Sequence, residues 1–208
     1  MHIAVIGAGN VGATLGRRLG QLGHQIAYAA SDPTSGSAAR AAGETPGATV
    51  GPPAAAADGA EVVVLAVPWA AVAEVVPSLG DLDGAVLVDA TNPIAPGLTL
   101  AVGGDDSGGE QVAALATGGR VVKAFNTVGW DVMADPSFDG GTPVLPVCGD
   151  DQGAVDLVAD LAADLGFEPL HLGGMAAARL SEPFALTWIT LAGPRGQGRG
   201  IAFGLLRR

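Results

Sequence analysis

A diphosphate-binding loop is predicted near the N-terminus by the spacing of three glycines, Gly7, Gly9 and Gly12. They follow a short, β-branched-rich apolar segment, His2 to Ile6, and precede helical spacing from Asn10 to Leu22. Gly7 permits a tight turn, Gly9 lets the backbone approach a pyrophosphate, and Gly12 lets helix and strand pack closely. The first turn of the helix offers free N–H groups and a positive dipole end to the anion. The pattern predicts a dinucleotide-binding turn made of Gly7, Ala8, Gly9, Asn10, Val11 and Gly12.

The other candidate site residues follow four further predicted strands. Apolar segments at 25–30, 60–67, 85–90 and 120–125 predict these strands. Because ligands of parallel sheets bind at the carboxyl ends of the strands, the residues after each strand should line one crevice with the glycine turn. These residues are Ala30, Ser31 and Asp32, then Pro68 and Trp69, Ala90 to Asn92, and Asn126 with Thr127.

Helical and extended segments alternate along almost the whole chain. Further helices are predicted at 69–79, 111–116, 152–165 and 175–191, and further strands at 143–149 and 167–173. A loop rich in glycine, aspartate and proline is expected at 94–109, and 201–207 is a candidate for a final short helix. The alternation predicts an α/β fold, a Rossmann-type doubly wound, mostly parallel sheet with helices on both faces. The 208 residues suit one compact domain, in which 1–125 binds the dinucleotide and 126–208 is an extension that completes the sheet.

The bulk composition disfavours several classes of partner. A formal net charge of −11 argues against nucleic acid and anionic membranes. The longest apolar stretch, Val62 to Ala73, is interrupted by Pro68 and is shorter than the roughly 18 apolar residues of a membrane span. Nothing resembles a signal peptide, and the single cysteine, Cys148, excludes an internal disulfide, so we expect a cytoplasmic protein. The three histidines have no metal-ligand spacing, and no metal site is predicted.

Six segments of the chain resemble one enzyme family. They are GAGNVG, AVPW, DATNP, VVKAFNTVG, PVCGDD and AARLSEP. In this order and at this spacing they resemble the NADP oxidoreductases that use the deazaflavin coenzyme F420, a group related to the reductase domain of membrane metalloreductases. The resemblance covers nearly the whole chain. It implies a small Rossmann enzyme, often a homodimer, that passes hydride between nicotinamide C4 and deazaflavin C5 while the two rings are stacked.

The resemblance also implies roles for individual residues. It places the pyrophosphate on Gly7 to Gly12, the ribose near Pro68 and Trp69, and the nicotinamide near Asn92 and Pro93. It places the acceptor ring, which the C-terminal extension would enclose, beside Asn126 and Thr127, with Arg179 and Glu182 at the back of that pocket. Hydride transfer between two bound rings needs alignment rather than a side-chain acid or base, so no catalytic residue is required.

The chain departs from the family pattern where cofactor choice is set. NADP-using members typically carry a Ser-Arg pair after the second strand, for bidentate contact with the 2′-phosphate. Here the stretch is Ala30-Ser31-Asp32, and Asp32 lies 20 residues after Gly12, close to the position of an acidic group that binds the ribose of NAD. Arg40 is an alternative partner for a 2′-phosphate. Both NADP and NAD therefore stay open as cofactors.

Three polar positions have a structural interpretation beside the functional one. Lys123, the only lysine, either contacts a phosphate or second substrate or belongs to a structural ion pair. Cys148, in an apolar strand, is expected to be an inert core thiol. Asp150-Asp151 is expected to be the N-cap of the following helix.

Three functions stay open at this point. The leading hypothesis is an NAD(P)-dependent oxidoreductase whose acceptor is coenzyme F420, and the second replaces F420 with FMN, FAD or a ferric acceptor. The third is a dinucleotide-binding sensor without turnover. Imine, ketopantoate and pyrroline-carboxylate reductases share the glycine turn, but they need a large helical second domain, for which the residues after Phe125 leave little room.

Overall fold

Strands and helices alternate along the residues described by the structure, a computed structural model, which are 1–30 and 36–208. Up to residue 89 they are β1 (His2–Ile6), α1 (Asn10–Gln21), β2 (Gln25–Ala29), α2 (Gly36–Gly43), β3 (Thr49–Gly51), α3 (Pro53–Ala57), β4 (Val62–Leu65), α4 (Val72–Ser78) and β5 (Val86–Asp89). After it they are β6 (Ile94–Ala95), β7 (Thr99–Leu100), α5 (Gly108–Leu115), β8 (Arg120–Lys123), α6 (Trp130–Ala134), β9 (Val144–Gly149), α7 (Gln152–Asp164), β10 (Glu168–His171) and α8 (Ala178–Ala192). Short 3₁₀ turns at Trp69–Ala71 and Met175–Ala177 precede α4 and α8.

An eight-stranded sheet in the order β10-β9-β8-β5-β4-β1-β2-β3 forms the centre of the molecule. β1 pairs in parallel with β2 and β4, and the parallel pairing continues through β5 to β8. The order of the strands reverses direction at β1, which is the switch point where such sheets open a crevice for ligands. The predicted Rossmann-type, mostly parallel sheet is therefore confirmed.

One strand pair of this eight-stranded sheet is antiparallel. β9 runs opposite to β8, with Val122 facing Gly149 and Lys123 facing Cys148, and β10 is parallel to β9. The carboxyl ends of β9 and β10 consequently lie at the other edge of the sheet from those of β1, β4, β5 and β8. The PVCGDD segment is thereby separated from the glycine turn.

Alternate residues of the central strands supply the two apolar layers of the core, because successive side chains of a strand point to opposite faces. Ile3 and Val5 of β1 belong to the layer that packs against α1, α2, α6 and α7. Ala4 and Ile6 belong to the layer that packs against α3, α4 and α5. These strands are buried on both faces, which explains why they are continuous apolar runs in the sequence.

Two segments differ from the expectations drawn from the sequence. The predicted final helix is wrong, since residues 201–208 contain no helix. The carbonyl of Phe203 accepts the N–H of Val144 (2.9 Å), and that of Ile201 accepts the Trp188 indole N–H (2.7 Å), so tertiary partners take the backbone groups that a helix would use. The expected loop at 94–109 contains the β6–β7 hairpin.

The alanine-rich stretch between β2 and β4 was not assigned from the sequence, and it forms α2, β3 and α3. Of the helices in the described residues, none has the length and hydropathy needed to cross a membrane. Within 1–30 and 36–208, no three His, Cys, Asp or Glu side chains are grouped as metal ligands.

Candidate functional site

Two of the three motif glycines are required by the fold itself. Gly7 has a φ of 102°, and a Cβ there would lie 2.7 Å from the carbonyl oxygen of Ala66, at the end of β4. A Cβ on Gly12 would lie 1.9 Å from the carbonyl oxygen of Gly7. The turn and the contact between α1 and β1 therefore leave no space for a side chain at either position.

Gly9 is different, because none of the described residues requires a glycine there. Its φ of −73° and ψ of −171° suit any residue, and a Cβ on Gly9 would meet no atom of residues 1–30 and 36–208 within 4 Å. Gly9 is exposed at the N-cap of α1, no side chain within the described part of the chain caps this helix end, and its first turn holds no acidic residue. The glycine leaves this helix end open to a molecule that approaches from outside.

The segment after β4 borders the same edge of the sheet. Pro68 is exposed, and Trp69 is half-buried at the start of the 3₁₀ turn. The Trp69 ring packs against the first residue of α5, where a Cβ on Gly108 would lie 3.1 Å from Cζ3 of the indole and 3.2 Å from Cδ of Pro93. Trp69, Pro93 and Gly108 therefore form one closely packed contact beside the crevice.

A reciprocal pair of amides joins the ends of β5 and β8. The Asn92 side chain donates from Nδ2 to the carbonyl of Asn126 (2.8 Å), and Asn126 donates from Nδ2 to Oδ1 of Asn92 (3.2 Å). Phe125, directly before, has a φ of 62°, a left-handed conformation that costs a residue with a side chain about 1–3 kcal/mol. This turn of the chain brings Asn126 to Asn92, so the predicted residues of two neighbouring strand ends do meet.

Two polar atoms at this place have no partner. Asn126 Oδ1 and Thr127 Oγ1 are buried, and neither makes a hydrogen bond within the described protein. A buried polar atom without a partner costs about 1–3 kcal/mol. Such atoms are candidates for contact with a bound ligand.

Lys123, in β8, lies beneath these residues in a buried ion cluster. Its Nζ contacts Oδ2 of Asp89 (2.8 Å) and Oε1 of Glu182 (2.9 Å), and it donates to the carbonyl of Thr91 (2.8 Å). The three charged side chains are at most 1% exposed. Burial acts to lower the pKa of Lys123, but the two carboxylates together outweigh it and hold the pKa above its ordinary value. The structural ion pair is thus the correct one of the two interpretations of Lys123.

The two α8 residues assigned to the acceptor pocket do not share a surface. Glu182 is buried, and it accepts the backbone N–H groups of Gly108 and Gly109 (2.9 Å each) in addition to Lys123. Arg179 is exposed, and its guanidinium forms a bidentate pair with Glu110 at 2.8 and 2.6 Å. That pair lowers the pKa of the Glu110 carboxyl. Glu182 consequently supports the site from inside, while Arg179 lies on the outside of α8.

Ser31 and Asp32 lie outside the described residues, so the predicted cofactor-selecting contacts belong to the sequence alone. Arg40, the alternative partner for a 2′-phosphate, is exposed on α2. The sequence predicts Gly108 and Gly109 at the end of a loop, whereas the structure places them at the start of α5. Their signal was the Ser107-Gly-Gly-Glu110 sequence, in which Ser107 caps α5 by accepting the N–H of Glu110.

The PVCGDD segment contributes to structure at the other edge of the sheet. Asp151 caps α7 by accepting the N–H of Ala154 (2.7 Å), and Asp150 accepts the N–H of Met175 (2.8 Å). The N-cap interpretation is confirmed for Asp151. Burial raises the pKa of the Cys148 thiol to about 12, as expected of an inert core thiol. An open depression of about 600 Å³ lies at this same edge, beside Glu61 and Arg120.

Comparison with known proteins agrees with this architecture. Residues 2–93 match the family model described as NADP oxidoreductase, coenzyme F420-dependent. A structure from Arthrobacter sp. FB24, of a protein proposed to be an F420-dependent NADP-reductase, superposes with a TM-score of 0.90 at 32% identity, over 100% of both chains. A hypothetical protein from Sinorhizobium meliloti superposes with a TM-score of 0.79 at 30% identity, over 100% of this chain and 96% of that one.

A curated relative is similar over part of its length. Metalloreductase STEAP3 of Rattus norvegicus is 39% identical over 111 residues, which are 52% of this chain. The chain spans 22% of the length of that protein. Since the Arthrobacter and Sinorhizobium proteins are similar to the chain over its whole length, the chain belongs to the coenzyme F420-dependent NADP oxidoreductase family of enzymes.

Proposed function

We propose that this enzyme transfers hydride between NADP(H) and coenzyme F420 at the carboxyl edge of the parallel strands. The observation that carries the proposal is the space at Gly9, which the described side chains leave open, beside a helix end that none of them caps. Backbone amides at such a helix end bind phosphate without any basic residue, which reconciles an anionic ligand with a chain of net charge −11.

In this proposal the successive parts of the nucleotide bind at the ends of successive strands. The amides from Gly9 to Gly12 hold the pyrophosphate, and Pro68 with Trp69 borders the ribose. The Thr91-Asn92-Pro93 turn lies under the nicotinamide. The described residues fit this ligand, because the cradle at Gly9 is one that a Cβ would fill.

The acceptor site lies beside the amide pair. Asn126 Oδ1 accepts, and the Thr127 hydroxyl can donate, so the two unpartnered atoms suit the donors and acceptors on the pyrimidine edge of a deazaflavin. With both molecules bound, the reduced pyridine ring supplies hydride to the deazaflavin. The protein's part is to hold the two rings roughly 3–3.5 Å apart and to exclude water from between them.

We propose NADP rather than NAD as the nucleotide, on the strength of the family. Arg40, exposed on α2, is the candidate cation for the 2′-phosphate, since no arginine follows β2 directly. An Arg40→Ala variant should raise the KM for NADPH and leave that for NADH unchanged. An unchanged KM for NADPH would remove Arg40 from the site.

Two further parts of the proposal concern the setting of the enzyme. The family resemblance suggests a homodimer, which sedimentation equilibrium would reveal as twice the chain mass. A single cysteine fits a cytoplasmic location, which cell fractionation tests.

The deciding experiment measures nucleotide oxidation against a panel of acceptors. NADPH and NADH are each combined with F420, FMN, FAD or a ferric chelate, and absorbance at the nicotinamide band is followed. We expect rapid oxidation of NADPH with F420 and only background rates with the other acceptors. Turnover with flavin or ferric chelate instead would support a metalloreductase-like function, which the STEAP3 similarity makes the second candidate. Tight binding without any turnover would indicate a sensor.

A further inference from the structure

The single lysine of the chain has no exposed surface at all. Lys123 is 0% exposed, and its three Nζ contacts go to Asp89, Thr91 and Glu182. Long cationic side chains normally keep the ammonium group in water. A fully buried lysine therefore needs an explanation beyond the packing of the core.

The charged groups of the Asp89, Lys123 and Glu182 cluster all have hydrogen-bond or ion-pair partners. One ammonium faces two carboxylates, which leaves a surplus negative charge. Asp89 uses Oδ1 to accept the N–H (2.9 Å) and the hydroxyl (2.7 Å) of Thr91. Glu182 accepts two N–H groups at the start of α5, where the helix dipole favours a carboxylate. Well-packed apolar residues would stabilise a core as well as a buried ion cluster does, so stability alone does not account for it.

The contacts of the cluster lead directly to the proposed nicotinamide site. Lys123 holds the carbonyl of Thr91, the first residue of the Thr91-Asn92-Pro93 turn. Glu182 holds the amide of Gly108, and Gly108 packs tightly against Trp69 and Pro93, where a Cβ would lie 3.1 and 3.2 Å from their nearest atoms. The turn proposed to lie under the nicotinamide and the packed contact of Trp69, Pro93 and Gly108 thus depend on the same buried ion cluster.

We infer that Asp89, Lys123 and Glu182 are positioning residues for hydride transfer: they fix the nicotinamide ring through the Thr91-Asn92-Pro93 turn and the start of α5. The inference rests on the proposed function. All three side chains are at most 1% exposed, and their hydrogen bonds and ion pairs do not include the α1 turn proposed to bind the pyrophosphate. Loss of the cluster's geometry should therefore slow the transfer step and leave nucleotide affinity largely intact.

The variant that tests this is Glu182→Gln. The glutamine keeps one acceptor oxygen, but its NH₂ group then faces a backbone N–H of α5, which forces the start of that helix to shift. A displacement of the ring by about 1 Å lowers the single-turnover transfer rate by roughly 10- to 100-fold. We expect the Kd for NADP⁺ to change by less than about threefold, since the pyrophosphate amides are unaltered.

The matched control is Glu168→Gln. Glu168 lies on β10 and forms an exposed ion pair with Arg207, so the variant makes the same chemical change away from the site. Its transfer rate and Kd should equal those of the wild type. If Glu182→Gln is less stable but its folded fraction transfers hydride at the wild-type rate, the cluster is structural only and the inference is wrong.

A second measurement needs no variant, in case Glu182→Gln fails to fold. Labelling with ¹⁵N-lysine gives one side-chain signal, that of Lys123. We expect NADP⁺ to shift this signal, and 2′-phospho-ADP-ribose, which lacks the nicotinamide, to leave it in place. Equal shifts or no shift with both ligands, while the backbone amides of α1 respond to both, would overturn the inference and leave the proposed function standing. No response of those amides to NADP⁺ would overturn the proposed function itself.

Discussion

Substitution of Gly9 separates binding from folding more cleanly than any other change at the site. A valine at this position places its side chain in the space where the structure has no atom within 4 Å of a Cβ. The backbone angles of Gly9, −73° and −171°, are ones that valine adopts readily. The matched change is Gly12→Ala, whose Cβ would lie 1.9 Å from the carbonyl oxygen of Gly7.

The two variants should have opposite consequences. For Gly9→Val, loss of glycine at the N-cap costs about 1 kcal/mol, and the reduced freedom of the unfolded chain returns about 0.4–1 kcal/mol. The loss of two amide–phosphate hydrogen bonds at about 1.5–3 kcal/mol each weakens binding by roughly 10²- to 10⁴-fold. For Gly12→Ala, α1 must move away from β1, at a cost in stability of about 3 kcal/mol or more.

Calorimetric titration with NADP⁺ and thermal unfolding by circular dichroism measure both quantities. We expect Gly9→Val to unfold within about 3 °C of the wild type and to show no heat of binding at micromolar ligand. We expect Gly12→Ala to unfold about 6–12 °C lower. Wild-type affinity in Gly9→Val would show that no diphosphate approaches this turn, and the argument from the open space at Gly9 would fail.

Three further results follow from groups away from the turn. Because the pKa of the Cys148 thiol is raised, the contribution of the buried neutral thiol to the free energy of unfolding is complete below pH 9 and is lost as the pH rises towards 12, by up to about 4 kcal/mol. The variant Cys148→Ala should lose less stability at alkaline pH, as measured by urea titration. An unchanged dependence of stability on pH would contradict the burial of the thiol. An amine-reactive label should leave Lys123 unmodified in the native state and react with it in urea, as read by peptide mass spectrometry; labelling of the native protein would refute its burial. Asp151→Ala removes the N-cap of α7 and should lower stability by about 1 kcal/mol with no change in the Kd for NADP⁺; weaker binding would place the PVCGDD segment in the site after all.

The central half of the fold was predictable because local patterns determine it. β1, β4 and β5 are buried on both faces, so their sequences are mainly apolar, and the glycine spacing marks the first crossover. The meeting of Asn92 with Asn126 followed from the rule that parallel strands end at one edge.

The direction of β9 was not predictable, because an apolar strand has the same composition whichever way it runs. The end of the chain illustrates the same limit. Residues 201–207 have an acceptable helical pattern, but Trp188 and Val144 bind their carbonyls from elsewhere in the chain.

The role of Glu182 was also beyond the sequence. The family resemblance indicates a position for Glu182 at the back of the acceptor pocket. Only the folded chain shows that its carboxylate binds Lys123 and the N–H groups of Gly108 and Gly109. The partners of a long-range ion pair are not separated by any fixed number of residues. A buried lysine and its partners are therefore recognised only in the three-dimensional structure.

The most direct test of the account is a crystal structure of the protein with NADP⁺ bound. We predict the diphosphate against the amides of Gly9 to Gly12 and the nicotinamide beside Asn92. Nucleotide seated at the opposite edge, in the depression near Glu61 and Arg120, with the glycine turn empty, would contradict it.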